Sequence, residues 1–87
     1  MHGKLLDLLV KNRLRLAVAE SCTGGLVSAA VTDIPGISQV YAGSITSYEN
    51  AVKERLLKVP SEVLSTVGAV SEECAAFMAK GVAEALN

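Results

Sequence analysis

Only two stretches of this 87-residue chain read as β-strands, and that scarcity constrains the fold more than anything else in it. The first, Leu14 to Ala19, is short, aliphatic and partly β-branched, the pattern of a strand covered on both faces. The second, Val40 to Tyr48, carries Tyr, Ile, Thr and Val around Gly43. Helical patterns surround them. Leu5, Leu6, Leu8 and Leu9 repeat at helical spacing up to Asn12, and Leu26 to Thr32 forms a second helical stretch. Asn50 is a candidate N-cap for a short helix through Leu57, and Pro60-Ser61 opens a helical turn ended by Gly68. Ser71 caps a last helix with Glu72 and Glu73 in its first turn, where the helix dipole favours acids. Its apolar stripe is Ala75, Met78, Ala79, Val82 and Leu86, with Phe77 also expected in the core. The order α-β-α-β-α-(α)-α predicts a three-layer α/β/α domain over residues 1–87. A sheet in water normally needs about three strands. The small sheet is therefore expected to be completed by another chain, or by a longer domain of which this chain is a piece.

Composition removes several function classes. Hydrophobic residues make up 51% of the chain, which excludes intrinsic disorder. The formal net charge is −1, with one Phe, two Tyr and no Trp, so neither a basic footprint nor a stacking platform for nucleic acid is expected. No apolar run approaches the roughly 20 residues of a bilayer span. The first ten residues are broken by Asp7 and lack a small-residue cleavage site, so they do not read as a signal peptide. A cytoplasmic setting is expected, with Cys22 and Cys74 reduced and in no metal-binding spacing. The single His, His2, sits beside a chain end, which leaves a Ser–His–Asp triad hard to assemble.

The chemistry points to Glu20-Ser21-Cys22-Thr23-Gly24-Gly25, a turn between the first strand and the next helix. A serine at such a corner sits among backbone N–H groups that suit a phosphate, or the oxyanion formed when a hydroxyl attacks a carbonyl. A glycine costs a helix about 1 kcal/mol relative to alanine, so two glycines at a first turn need a reason. Close approach of the backbone to a ligand is one. Close helix–strand packing, with Ser21 or Thr23 acting as a cap, is the structural alternative. Cys22 is a rival nucleophile, since a helix N-terminus favours thiolate, although a small buried cysteine is the commoner role.

Tyr48 ends the second strand and Lys53 follows in the first turn of the next helix. A helix N-terminus and burial both disfavour a charged ammonium, which makes a lysine so placed available as a base. A Ser–Lys pair is a known substitute for Ser–His, and a tyrosine hydroxyl between the two can relay the proton. Within one helix, residues five apart point about 140° from each other. Tyr48 and Lys53 therefore converge only if the bend lies between them. The structural alternative makes Lys53 one solvated charge among Glu49, Glu54, Arg55 and Lys58. Arg13 and Arg15 bracket the first strand and read as solvated edge charges or phosphate contacts.

Taken together, these segments resemble the C-terminal domain of the competence/damage-inducible protein CinA. The resemblance rests on Ala19-Glu20-Ser21-Cys22-Thr23-Gly24-Gly25-Leu26, then on Pro35-Gly36-Ile37-Ser38, Tyr48 through Lys53 with Leu57, and Gly68-Ala69-Val70-Ser71-Glu72-Glu73. It runs from about Leu5 to Asn87. Members include nicotinamide mononucleotide deamidases, which hydrolyse the carboxamide to nicotinate mononucleotide and ammonia. The resemblance implies Ser21 as nucleophile, with Tyr48 and Lys53 as activating groups. Cys22, Thr23, Gly24 and Gly25 would face the substrate. No cofactor or metal is implied, and the partner would be a pyridine nucleotide. Family domains continue with more strands and a second glycine-rich stretch of the type Thr-Gly-Ile-Ala-Gly-Pro, whereas this chain matches about the first half. Ser44 stands where the family pattern has Gly.

Two expectations follow. One is a nicotinamide-nucleotide amidase. The other is a truncated, non-catalytic relative that acts as a homo-oligomeric or nucleotide- and phosphate-binding module.

Overall fold

The structure is a computed structural model that describes residues 2–87. Helix α1 spans His2–Lys11, strand β1 Leu16–Glu20 and helix α2 Leu26–Thr32. A 3-10 turn at Ile37–Gln39 leads into strand β2, Tyr41–Thr46. Helices α3 (Asn50–Leu57), α4 (Ser61–Thr66) and α5 (Glu72–Ala85) complete the order. The side chain of His2 lies outside the described residues.

Strands β1 and β2 pair in parallel, joined through α2. Leu16 faces Tyr41, a bulge skips one residue, and the register then holds from Ala17 opposite Gly43 to Glu20 opposite Thr46. Alternation along β1 sends side chains to opposite faces. Leu16 and Val18 pack with Leu5, Leu6 and Leu9 of α1 on a core of Val31, Ile34, Ile37 and Val40. Ala17, Ala19 and Ile45 pack on the other core, Leu57, Val59, Cys74, Met78 and Val82. The result is three layers with helices on both faces of a two-stranded sheet, in line with the pattern of the chain.

Some boundaries differ from the sequence expectation. Strand β1 begins at Leu16 because Asn12 and Arg13 form a turn, with Arg13 left-handed at φ 55°. Asn50 is the first residue of α3 rather than its cap. The extended backbone of Glu49 (φ −75°, ψ 147°) precedes the helix, and no side chain caps it. Ser71 does cap α5, accepting a hydrogen bond from the Cys74 N–H. Phe77, expected in the core, is 36% exposed. Met78 takes the inward position beside it, since adjacent residues on a helix face different ways. Gly81 lets α5 lie directly on α3: a Cβ there would stand 1.9 Å from the Leu57 carbonyl oxygen.

Among the described residues no helix is long and apolar enough to cross a membrane.

Candidate active site

Parallel pairing brings the exits of both strands to one end of the sheet. With Glu20 opposite Thr46, Ser21 leaves β1 beside the point where Ser47 and Tyr48 leave β2. The Ser47 N–H donates to the Glu20 carbonyl at 2.8 Å, fastening the two exits together. Ser21 is half-buried there, while Cys22, Thr23 and Gly24 are exposed. The exposed Cys22 departs from the small, buried cysteine expected by default; Cys74 takes that role.

The glycines owe their place to backbone shape. Gly24 and Gly25 have φ of +63° and +110°, and a Cβ at either would meet nothing within 4 Å. Close helix–strand packing is thus not what keeps them small; left-handed geometry at the turn is. The Gly24 N–H donates to the Ser21 carbonyl.

The cap of α2 comes from a residue that sequence reading missed. The Glu20 side chain, 3% exposed, reaches past the turn to the start of the helix. One of its carboxylate oxygens accepts from the Thr23 hydroxyl (2.7 Å), the Gly25 N–H (3.1 Å) and the Val27 N–H (3.0 Å). The other accepts from the Ser28 N–H (2.9 Å) and, over a short contact, from the Ser28 hydroxyl. Burial alone would raise the pKa of this carboxyl. The bonds from the Ser28 and Thr23 side chains and from the backbone of Ser28 and Val27 outweigh burial and bring it down to about 2. The signal was available: alternation places residue 20 on the face of Leu16 and Val18, and a buried acid just before a helix suits the positive end of its dipole.

Lys53 is 2% exposed, so it is not the solvated charge that its neighbours suggested. Its Nζ donates a 2.6 Å hydrogen bond to the backbone carbonyl of Tyr48. The bend at Glu49 makes this contact geometrically accessible from within one short helix. The Tyr48 side chain itself is 77% exposed. Ser47, between β2 and Tyr48, is fully buried, and its hydroxyl has no hydrogen-bond partner among the described residues. This residue too was not singled out in the sequence.

Two cavities lie away from this corner. One of about 440 Å³ sits at the opposite end of the strands near Arg13, Arg15 and Ala42. Another of about 310 Å³ runs between Ala17–Ala19 of β1 and the Met78 face of α5. Ser21, Tyr48 and Lys53 line neither. Among the described residues no group of three or more His, Cys, Asp or Glu side chains is placed to hold a metal ion.

Comparison with known proteins gives a consistent picture. The family model described as the CinA C-terminal domain matches residues 1–87. A CinA-like protein of Dictyoglomus thermophilum is 48% identical over 83 residues, covering 95% of this chain and 20% of the relative. A CinA-like protein of Fervidobacterium nodosum is 47% identical over 87 residues, 100% of this chain and 21% of the relative. Among solved structures, a CinA superfamily protein from Enterobacter cloacae superposes with a TM-score of 0.92 at 35% identity, over 95% of this chain and 49% of that one. Competence/damage inducible protein CihA from Agrobacterium tumefaciens gives 0.88 at 37%, over 95% and 50%. The chain thus spans about one fifth of these curated relatives and half of these solved chains.

Proposed function

The chain belongs to the CinA C-terminal domain family, and on that premise we propose that it carries the nucleophile half of an amidase acting on the carboxamide of nicotinamide mononucleotide. The observation that supports this most is the shared exit of the two parallel strands. It sets Ser21 at the same end of the sheet as a lysine that is buried and fixed on the Tyr48 carbonyl.

In this mechanism Lys53, as the neutral amine, takes the Ser21 hydroxyl proton, directly or through the Tyr48 hydroxyl. The Ser21 oxygen bonds to the carboxamide carbon, and the developing oxyanion is held by backbone N–H groups of the corner. The C–N bond breaks, the nitrogen takes the proton, and ammonia leaves an acyl-serine. Water then adds to the acyl carbon, the ester bond breaks, and nicotinate mononucleotide and free Ser21 are released. Phosphate binding at the start of α2 has less support, because the Glu20 carboxylate already occupies those N–H groups. The test is ammonia release from nicotinamide mononucleotide: it should vanish in Ser21→Ala and Lys53→Ala. Full activity in Ser21→Ala would sink the assignment.

One observation favours a second reading, a non-catalytic binding module that works as an oligomer. Among the described residues the sheet has two strands, and the Ala17–Ala19 segment of β1 borders an apolar cavity. Light scattering separates the two: a well-folded monomer that releases ammonia counts against the module.

A further inference from the structure

We propose, resting on the amidase reading, that Glu20 is a positioning residue of the Ser21 corner: it claims the N–H groups at the start of α2 and leaves those of Cys22 and Thr23 to receive the oxyanion. A carboxylate offers about four lone-pair sites. Glu20 receives five donors, from Thr23, Gly25, Val27 and twice from Ser28. No acceptor capacity is left over for a substrate proton, so Glu20 does not serve as the base.

The neighbouring donors are also taken. Gly24 donates to Ser21 and Leu26 to Thr23, both through backbone N–H groups. The N–H groups of Cys22 and Thr23, directly after the nucleophile, make no hydrogen bond among the described residues. The corner therefore keeps the adjacent N–H groups of Cys22 and Thr23 open, while those of residues 24–28 are closed.

Glu20 also acts through its backbone. Its carbonyl accepts from Ser47, the residue before Tyr48. One residue thus holds the helix on one side of Ser21 and the exit of β2 on the other. By strand alternation its side chain falls on the α1–α2 face, whereas Lys53 sits in α3 on the opposite face. The charge of Glu20 is accordingly spent on the helix start rather than on the amine.

The experiment compares the full 87-residue chain with Glu20→Gln and Ser28→Ala, using ammonia release from nicotinamide mononucleotide and amide hydrogen exchange followed by NMR. Misplacing a catalytic group by about 1 Å can cost about 100-fold in rate. Glu20→Gln is expected to lose about that factor in kcat, with KM within about threefold, because the corner shifts while the remote substrate contacts stay. Wild-type kcat in a folded Glu20→Gln overturns the proposal. If Glu20→Gln does not fold, Ser28→Ala decides: a severalfold lower kcat at unchanged KM supports the proposal, and wild-type kcat overturns it. If the parent chain releases no ammonia, the amidase reading fails for this chain and exchange alone judges Glu20. Faster exchange at Gly25, Val27 and Ser28 in the variant, with Cys22 and Thr23 fast in both, then supports its role. Unchanged protection overturns it.

Discussion

The Lys53 Nζ is tied to the backbone carbonyl of Tyr48, five residues earlier, at 2.6 Å. The contact folds the start of α3 back on the end of β2 and places an amine where water hardly reaches. A buried amine with one polar partner is an expensive feature, and an apolar side chain of similar length often fits such a site at no loss. Lys53→Met should therefore fold as well as the parent, despite leaving the Tyr48 carbonyl without its donor, which costs about 1–3 kcal/mol. Its ammonia release should be abolished. Thermal melts beside the activity assay check this: lost activity with a near-parental melting temperature marks Lys53 as a group kept for chemistry.

Acid sensitivity should trace to Glu20. Its folded-state pKa of about 2 lies below the ordinary value of 4.5, so the folded state prefers the carboxylate. A depressed carboxyl stabilises the fold above the unfolded-state value, and that contribution disappears as pH falls through the folded-state value. The melting temperature of the parent should drop between about pH 4.5 and pH 2. Glu20→Gln has no such proton to take up, so its decline over that window should be shallower. Parallel curves for the two proteins would show that another group governs acid unfolding.

Features set by neighbours in sequence were legible; those set by distant packing were not. Ser71 as cap of α5 follows from one hydroxyl and the next turn, and the Leu16–Ala19 strand follows from its aliphatic run. The candidate nucleophile was visible because a Ser-Cys-Thr-Gly-Gly turn between a strand and a helix is a local pattern. Glu20 escaped because its five donors lie three to eight residues ahead, across a turn whose left-handed glycines decide the reach. Lys53 was named as a candidate base, but its burial was left open for a different reason. Its neighbours Glu49, Glu54 and Arg55 look like a solvated face, whereas in the fold the position is interior, on a helix whose Leu57 shares a core with Met78 and Val82 of α5.

Tyr48 offers a way to separate two proton paths. Its ring is largely exposed, so Tyr48→Phe removes a hydroxyl with little effect on stability. If the hydroxyl relays the proton, ammonia release should fall by about 100-fold or more, the usual weight of a general acid–base group. If Lys53 acts on Ser21 directly, the rate should stay within severalfold. Steady-state rates of Tyr48→Phe beside those of Lys53→Met distinguish the two.

Gly81 is the position where one methyl group should do the most damage. Residues 57 and 81 are where α3 and α5 touch backbone to side, and the added Cβ would meet the Leu57 carbonyl oxygen at 1.9 Å and its carbon at 2.7 Å. Backbone cannot swing aside as a flexible side chain would, so the helices must part. Leu57, Val82 and Met78 belong to the same core and would lose packing together. Alanine is intrinsically the better helix former by about 1 kcal/mol. Overpacking of this kind typically costs about 1–3 kcal/mol, and a clash with backbone belongs at or above the upper end. The net expectation for Gly81→Ala is a melting temperature lower by about 5–15 °C, at about 4–8 °C per kcal/mol in a domain of this size. A melt within two or three degrees of the parent, about half a kcal/mol, would mean that α3 and α5 stand further apart than the structure has them.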